Sequence, residues 1–134
     1  MVCSSEVQGE IASLLGVKTQ QPVKATWKDH VYSCTYHYTN GSFTLSVKEL
    51  PDEAATDAYF DELAQKLGKS ETINGLAPEG AFTTSNKSVV FRKDYKVTLV
   101  DISNLPKTFG AYGDTRDAIS LNVASTILSC WTGA

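Results

Sequence analysis

The sequence predicts an α+β fold, a mostly antiparallel sheet of about five or six strands with three helices packed on its apolar face. Three observations predict it. Apolar residues recur at helical spacing behind capping residues in three stretches. Two long segments alternate apolar and polar residues across tight turns, and the order is helix, strands, helix, strands, helix. The 134 residues fit a single domain over 1–134, large enough to enclose one core. A net charge of −3, from 12 basic and 15 acidic residues, lacks the basic excess that phosphate backbones require, so nucleic acid is not an expected partner. No apolar run reaches the roughly 18 residues of a membrane-crossing helix.

Each element has a local cause. Ser5 is the expected N-cap of the first helix, with Gln8 completing a capping box; Val7, Ile11, Leu14 and Leu15 form its stripe and Gly16 stops it. Pro22 to Trp27 reads as a short edge strand. His30 to Leu50 reads as a hairpin, with Asn40-Gly41 supplying the two positive φ angles of a type I′ turn. Counting back pairs Tyr38 with Phe43, Tyr36 with Leu45 and Cys34 with Val47 on a core face. His37 with Thr44, Thr35 with Ser46 and Ser33 with Lys48 fall on a polar, wet face.

Pro51-Asp52-Glu53 opens the second helix, which runs to Gly68; Ala55, Tyr59, Phe60, Leu63, Ala64 and Leu67 form its stripe, and Asp57, Asp61 and Glu62 a solvated face. Lys69 to Ala81 reads as an irregular crossing loop. In the second hairpin, Lys87 to Ser103, an odd loop centred on Lys93-Asp94-Tyr95 aligns Phe91 with Val97 and Val89 with Leu99, at the cost of Arg92 facing Lys96. Asp114-Thr115 caps the last helix, whose stripe Ile119, Val123, Ile127 and Cys130 ends at Trp131 before Gly133.

Few constellations suggest chemistry. Cys34 and His37 have C-x-x-H spacing, but residues three apart on a strand point to opposite faces, so a core thiol and a surface imidazole are expected rather than a metal site. A histidine base could only be His30 or His37, and no G-x-S-x-G elbow accompanies them. Asp101 shares a strand face with Val97 and Leu99, where it could serve as an acid or base, or cap a loop. Thr35, His37, Thr44 and Ser46 form the candidate binding face. Trp27, Tyr32, Tyr36, Tyr38 and Tyr59 could suggest a ring-binding platform, but the hairpin count turns Tyr36 and Tyr38 toward the helices. Arg92, Lys93 and Lys96 cluster at a hairpin tip beside Lys87. Three cysteines, Cys3, Cys34 and Cys130, permit one bridge. Loop-closure entropy of about 4 to 5 kcal/mol does not choose between Cys3–Cys34 and Cys34–Cys130.

Several stretches carry a resemblance: Val2-Cys3 before a capped helix, Tyr32-Ser33-Cys34-Thr35-Tyr36, Leu45-Ser46-Val47-Lys48, Val89-Val90-Phe91-Arg92-Lys93-Asp94, and Ser129-Cys130-Trp131-Thr132-Gly133. Together they resemble a group of uncharacterised actinobacterial secreted proteins and lipoproteins, in which a small α+β domain follows an export signal and a polar linker. The resemblance implies an extracytoplasmic location, secreted or anchored through an upstream segment, with Cys3 a domain cysteine and not a lipid-bearing one. It thereby favours a disulfide, taken as Cys3 with Cys34 and alternatively as Cys34 with Cys130. The expected function is a non-catalytic binding or interaction domain for a small ligand or a cell-surface protein, with no cofactor. The alternatives are a small hydrolase or isomerase using Asp101 or His37 in a cleft between sheet and helices, and an inhibitory or structural partner of another secreted protein.

Overall fold

Ser4 begins the first helix: its hydroxyl accepts from the Val7 amide at 3.2 Å while the Gln8 side chain donates to the Cys3 carbonyl at 2.8 Å. The cap of α1 (Ser5–Leu15) therefore falls one residue before the expected Ser5, and Gly16 closes the helix in the left-handed region. The computed structural model describes residues 2–131, so the expected Gly133 stop lies outside the described residues. The strands that follow are β1 (Ala25–Lys28), β2 (Val31–Tyr38) and β3 (Gly41–Glu49), then α2 (Glu53–Leu67) leads to β4 (Lys69–Thr72), β5 (Ala81–Thr84), β6 (Val89–Lys93) and β7 (Lys96–Asp101). A two-stranded ribbon of β8 (Thr108–Phe109) and β9 (Asp114–Thr115) precedes α3 (Arg116–Trp131), where the Thr115 hydroxyl accepts from the Ala118 amide at 3.4 Å.

The main sheet has seven antiparallel strands in the order β1-β2-β3-β7-β6-β5-β4, one or two more than expected. The surplus includes β4, which lies where an irregular loop was read. Its Lys-Ser-Glu-Thr is exposed at every position on the sheet edge, so no burial is imprinted on its sequence.

The helices do not all pack on one face, and this corrects the expected layering. Val7, Ile11 and Leu15 of α1 and Ile119, Val123 and Ile127 of α3 meet Cys34, Tyr36, Phe43, Leu45, Phe91 and Val100 in one core on the inner face. On the outer face α2 covers Phe82, Val90 and Val97 with Tyr59, Phe60, Leu63, Ala64 and Leu67. β6 and β7 are thus buried on both sides. Their run of Val89, Val90 and Phe91 is continuous because neither face meets water.

That double cover explains why the odd register fails. The hairpin pairs Lys93 with Lys96, Phe91 with Thr98 and Val89 with Val100 around Asp94-Tyr95, whose φ angles of 53° and 62° belong to a two-residue type I′ turn. Arg92 faces Val97, not Lys96.

The first hairpin turns one residue early. Tyr38 pairs with Gly41, Tyr36 with Phe43 and Cys34 with Leu45, a shift of two partners that leaves every side chain on its expected face. Thr39 and Asn40 form the turn without positive φ, and Gly41 serves a close approach instead: a Cβ there would lie 2.9 Å from the Asn104 carbonyl oxygen. A second turn with paired positive φ angles does occur, at Asp29-His30 between β1 and β2.

Candidate functional site

Alternation in β2 and β3 divides their residues between the inner core and an outer surface that α2 leaves bare, and β1, exposed at every position, borders it. Thr26 pairs with Ser33, Ser33 with Ser46, Thr35 with Thr44 and His37 with Ser42. Adjacent strands lie about 4.8 Å apart, so these hydroxyls form a two-dimensional array. Neighbours in the array bond to one another, Thr35 Oγ1 to Thr44 Oγ1 at 3.0 Å and Thr26 Oγ1 to Ser33 Oγ at 2.9 Å. The four expected binding-face residues therefore do share one face: His37 is exposed, and Thr35, Thr44 and Ser46 are partly exposed.

At the β1 side the surface sinks into an open recess of about 280 Å³ lined by the polar residues Gln21, Lys24, Thr26, Ser33, Thr35 and His37 together with Pro22 and Cys34. Among the described residues no carboxylate lines it, although the chain carries more acids than bases. Hydroxyls donate and accept, while Lys24 and the Gln21 amide add donors, so the recess suits a polar ligand. Thr44 and Ser46 continue the surface on β3 outside the recess. The edge strand expected over Pro22 to Trp27 forms over Ala25–Lys28 instead, so Lys24, read as a strand residue, and Gln21 belong to the irregular run before it, whose path the sequence does not give. Thr26 was legible in principle, since alternation from Ser33 reaches it across the strand pair.

The remaining candidates separate. Cys34 is 3% exposed and bonded to Cys3, with their Cα atoms 5.9 Å apart, whereas His37 points the other way. The C-x-x-H pair does not converge. Cys130 is free, which overturns the alternative Cys34–Cys130 bridge. It lies half-buried between α1 and α3 beside Glu6 and Glu10, where burial, and then the Glu6 carboxylate that accepts from the thiol, push its pKa up. His30 is exposed with its ring edge-on to Trp27, their centroids 6.0 Å apart, and Trp27 itself is exposed. Asp101 accepts from the Ser103 amide at 3.0 Å and hydroxyl at 2.6 Å, a loop cap. The cavity beside it holds about 20 Å³, room for roughly one water and not for a substrate.

Two further expectations change. Arg92 leaves the basic tip: it is 7% exposed and reaches across to α2, with its guanidinium 2.7 Å from Glu53 Oε1 and also bonded to Asp57. Burial opposes its charge, but the Asp57 and Glu53 partners outweigh that and raise its pKa. Asp57 is accordingly part of a clip holding α2 to the sheet and not only of a solvated face. Tyr36 and Tyr38 are buried as expected, and burial raises both phenol pKa values far above the ordinary range.

Among the described residues no helix is long and apolar enough to cross a membrane, and no group of three or more His, Cys, Asp or Glu side chains is arranged to hold a metal. No family model, curated protein or solved structure matches the chain.

Proposed function

We propose that the chain is an extracytoplasmic, non-catalytic binding domain whose bare outer surface takes a polar ligand, small molecule or protein, at the cell surface. One observation carries the reading. Helices cover the inner core and the β5–β7 part of the outer face, while the β1–β3 part is left clad in Thr26, Ser33, Thr35, His37, Thr44 and Ser46. The Cys3–Cys34 bridge supports the location, because structural disulfides persist in oxidising compartments. The resemblance to actinobacterial secreted proteins and lipoproteins points the same way.

The ligand site is tested by titrating ¹⁵N-labelled protein with tri-N-acetylglucosamine and, separately, with inorganic phosphate. One of them should shift the amides of Thr35, His37, Thr44 and Ser46, and Thr35→Ala with His37→Ala should weaken binding several-fold. Shifts confined to other surfaces, or none with either compound, would remove the site. Cell fractionation tests the location: protein recovered from the envelope or medium should alkylate at Cys130 alone until reduced. Recovery in the cytoplasm with all three thiols open would overturn it.

A further inference from the structure

Gly9 sits inside α1, where glycine weakens a helix relative to alanine. Its φ is ordinary, and a Cβ there would meet no atom within 4 Å, so neither backbone conformation nor close packing requires glycine. The consequence of the missing side chain is open space. Gly9 and Ala12 on α1, Val17 and Val23 on the connecting segment, and Tyr36 and Tyr38 on β2 line a cavity of about 320 Å³. The cavity lies on the opposite side of β2 from the hydroxyl surface. The connecting segment is held in place by the Gln20 amide, which donates to the His37 carbonyl at 2.8 Å.

The two tyrosines differ in one respect. The Tyr36 hydroxyl donates to the Val2 carbonyl at 3.1 Å. Tyr38 is equally enclosed, 7% exposed and packed between Phe43 and Phe109, yet its hydroxyl has no hydrogen-bond partner among the described residues. Tyr38 itself lines the cavity. Burial keeps the phenol protonated and therefore a donor. Gln8, Lys18 and Thr19 also line the cavity, so its wall joins an apolar part, Ala12, Val17, Val23 and the tyrosine rings, to a few polar groups, of which the Tyr38 hydroxyl is the buried one. That is the usual composition of a small-molecule site, and the volume is at the low end of such sites.

We propose that this cavity binds a small apolar molecule carrying one hydrogen-bond acceptor, with the acceptor on the Tyr38 hydroxyl and the apolar body against Ala12, Val17 and Val23. The volume suits a ligand of on the order of ten non-hydrogen atoms.

Two probes test this by amide shifts in ¹⁵N-labelled protein: acetophenone, which has a carbonyl acceptor, and ethylbenzene, the same skeleton without the oxygen. Both should shift Gly9, Ala12 and Val23, with dissociation constants on the order of millimolar and acetophenone about five-fold tighter. Tyr38→Phe should erase that preference without lowering the melting temperature, because the hydroxyl makes no bond inside the protein. Gly9→Leu should weaken both probes at least about ten-fold while the helix, followed by circular dichroism, is retained or strengthened. The proposal falls if neither probe shifts these amides, if Gly9→Leu leaves binding unchanged, or if acetophenone keeps its advantage in Tyr38→Phe.

Discussion

The two hairpins at the centre of the sheet are built alike and read differently. In β2–β3 one side meets the helices and the other meets water, so Tyr36, Tyr38, Phe43, Leu45 and Val47 alternate strictly with Thr35, His37, Thr44 and Ser46. In β6–β7 both sides are covered, and Val90 and Val97 are as buried as Val89 and Phe91. Alternation therefore reports a bare face, and its absence reports cover on both. Choosing a register for β6–β7 because it restores alternation imposes a solvent face that the strand pair does not have.

The sharpest way to break this contrast is to empty the covered hairpin. Phe91 is fully buried and meets Trp131, with centroids 6.1 Å apart. Phe91→Ala should cost about 3 to 5 kcal/mol in urea unfolding. A loss below about 1 kcal/mol would show that the inner face is not close-packed there.

Next in size is the sulfur link on the alternating hairpin. Cys3→Ala with Cys34→Ala removes a crosslink across a sequence separation of 31 and should cost about 4 kcal/mol. Adding reductant to the parent protein should reproduce most of that loss and leave the double variant unaffected.

Third is the clip that covers the outer side of β6–β7. Glu53→Gln with Asp57→Asn strands the buried Arg92 guanidinium, whose Nε already lacks a partner among the described residues. A loss of about 2 kcal/mol is expected, below the full cost of breaking a buried pair because both carboxylates are largely exposed. No loss would mean that apolar contact alone holds α2.

Alkali probes the tyrosines on the alternating face. Their folded pKa values are raised, so above about pH 10 the unfolded chain releases protons that the native state retains. The stability they contribute is intact below that pH and falls above it, by up to about 1.4 kcal/mol per phenol per pH unit. Tyrosinate absorbance should show these two phenols ionising together with unfolding; ionisation in the folded state would contradict the burial.

Smallest is the bare surface itself. Thr35→Val with Thr44→Val removes one part-buried hydroxyl pair and should change stability by no more than about 0.5 kcal/mol. A larger loss would show that the array serves the fold and not a ligand.

The comparison also shows how far the sequence could be read. Helix ends were legible because caps are local chemistry: Asp52 accepts from the Ala55 amide at 2.8 Å and Gly68 closes α2 where expected. The side assignment in β2–β3 survived a misplaced turn because a shift of two partners preserves parity. Asn40-Gly41 misled because Gly41 answers to the Asn104 carbonyl, a residue distant in sequence. Arg92 misled because its partners lie 35 and 39 positions away, and only the packing of α2 brings them near. The hydroxyl array was visible as alternation, but the recess beside it needed the path of the chain before β1.

The bond between Cys3 and Cys34 also sets how the molecule carries a mechanical load. Tension applied ahead of Cys3 passes through sulfur directly into β2, a strand flanked on both sides. The intervening α1, its connecting segment and β1 lie off the force-bearing path. A pull from that end would load the sheet and bypass the first helix as long as the sulfur bond holds.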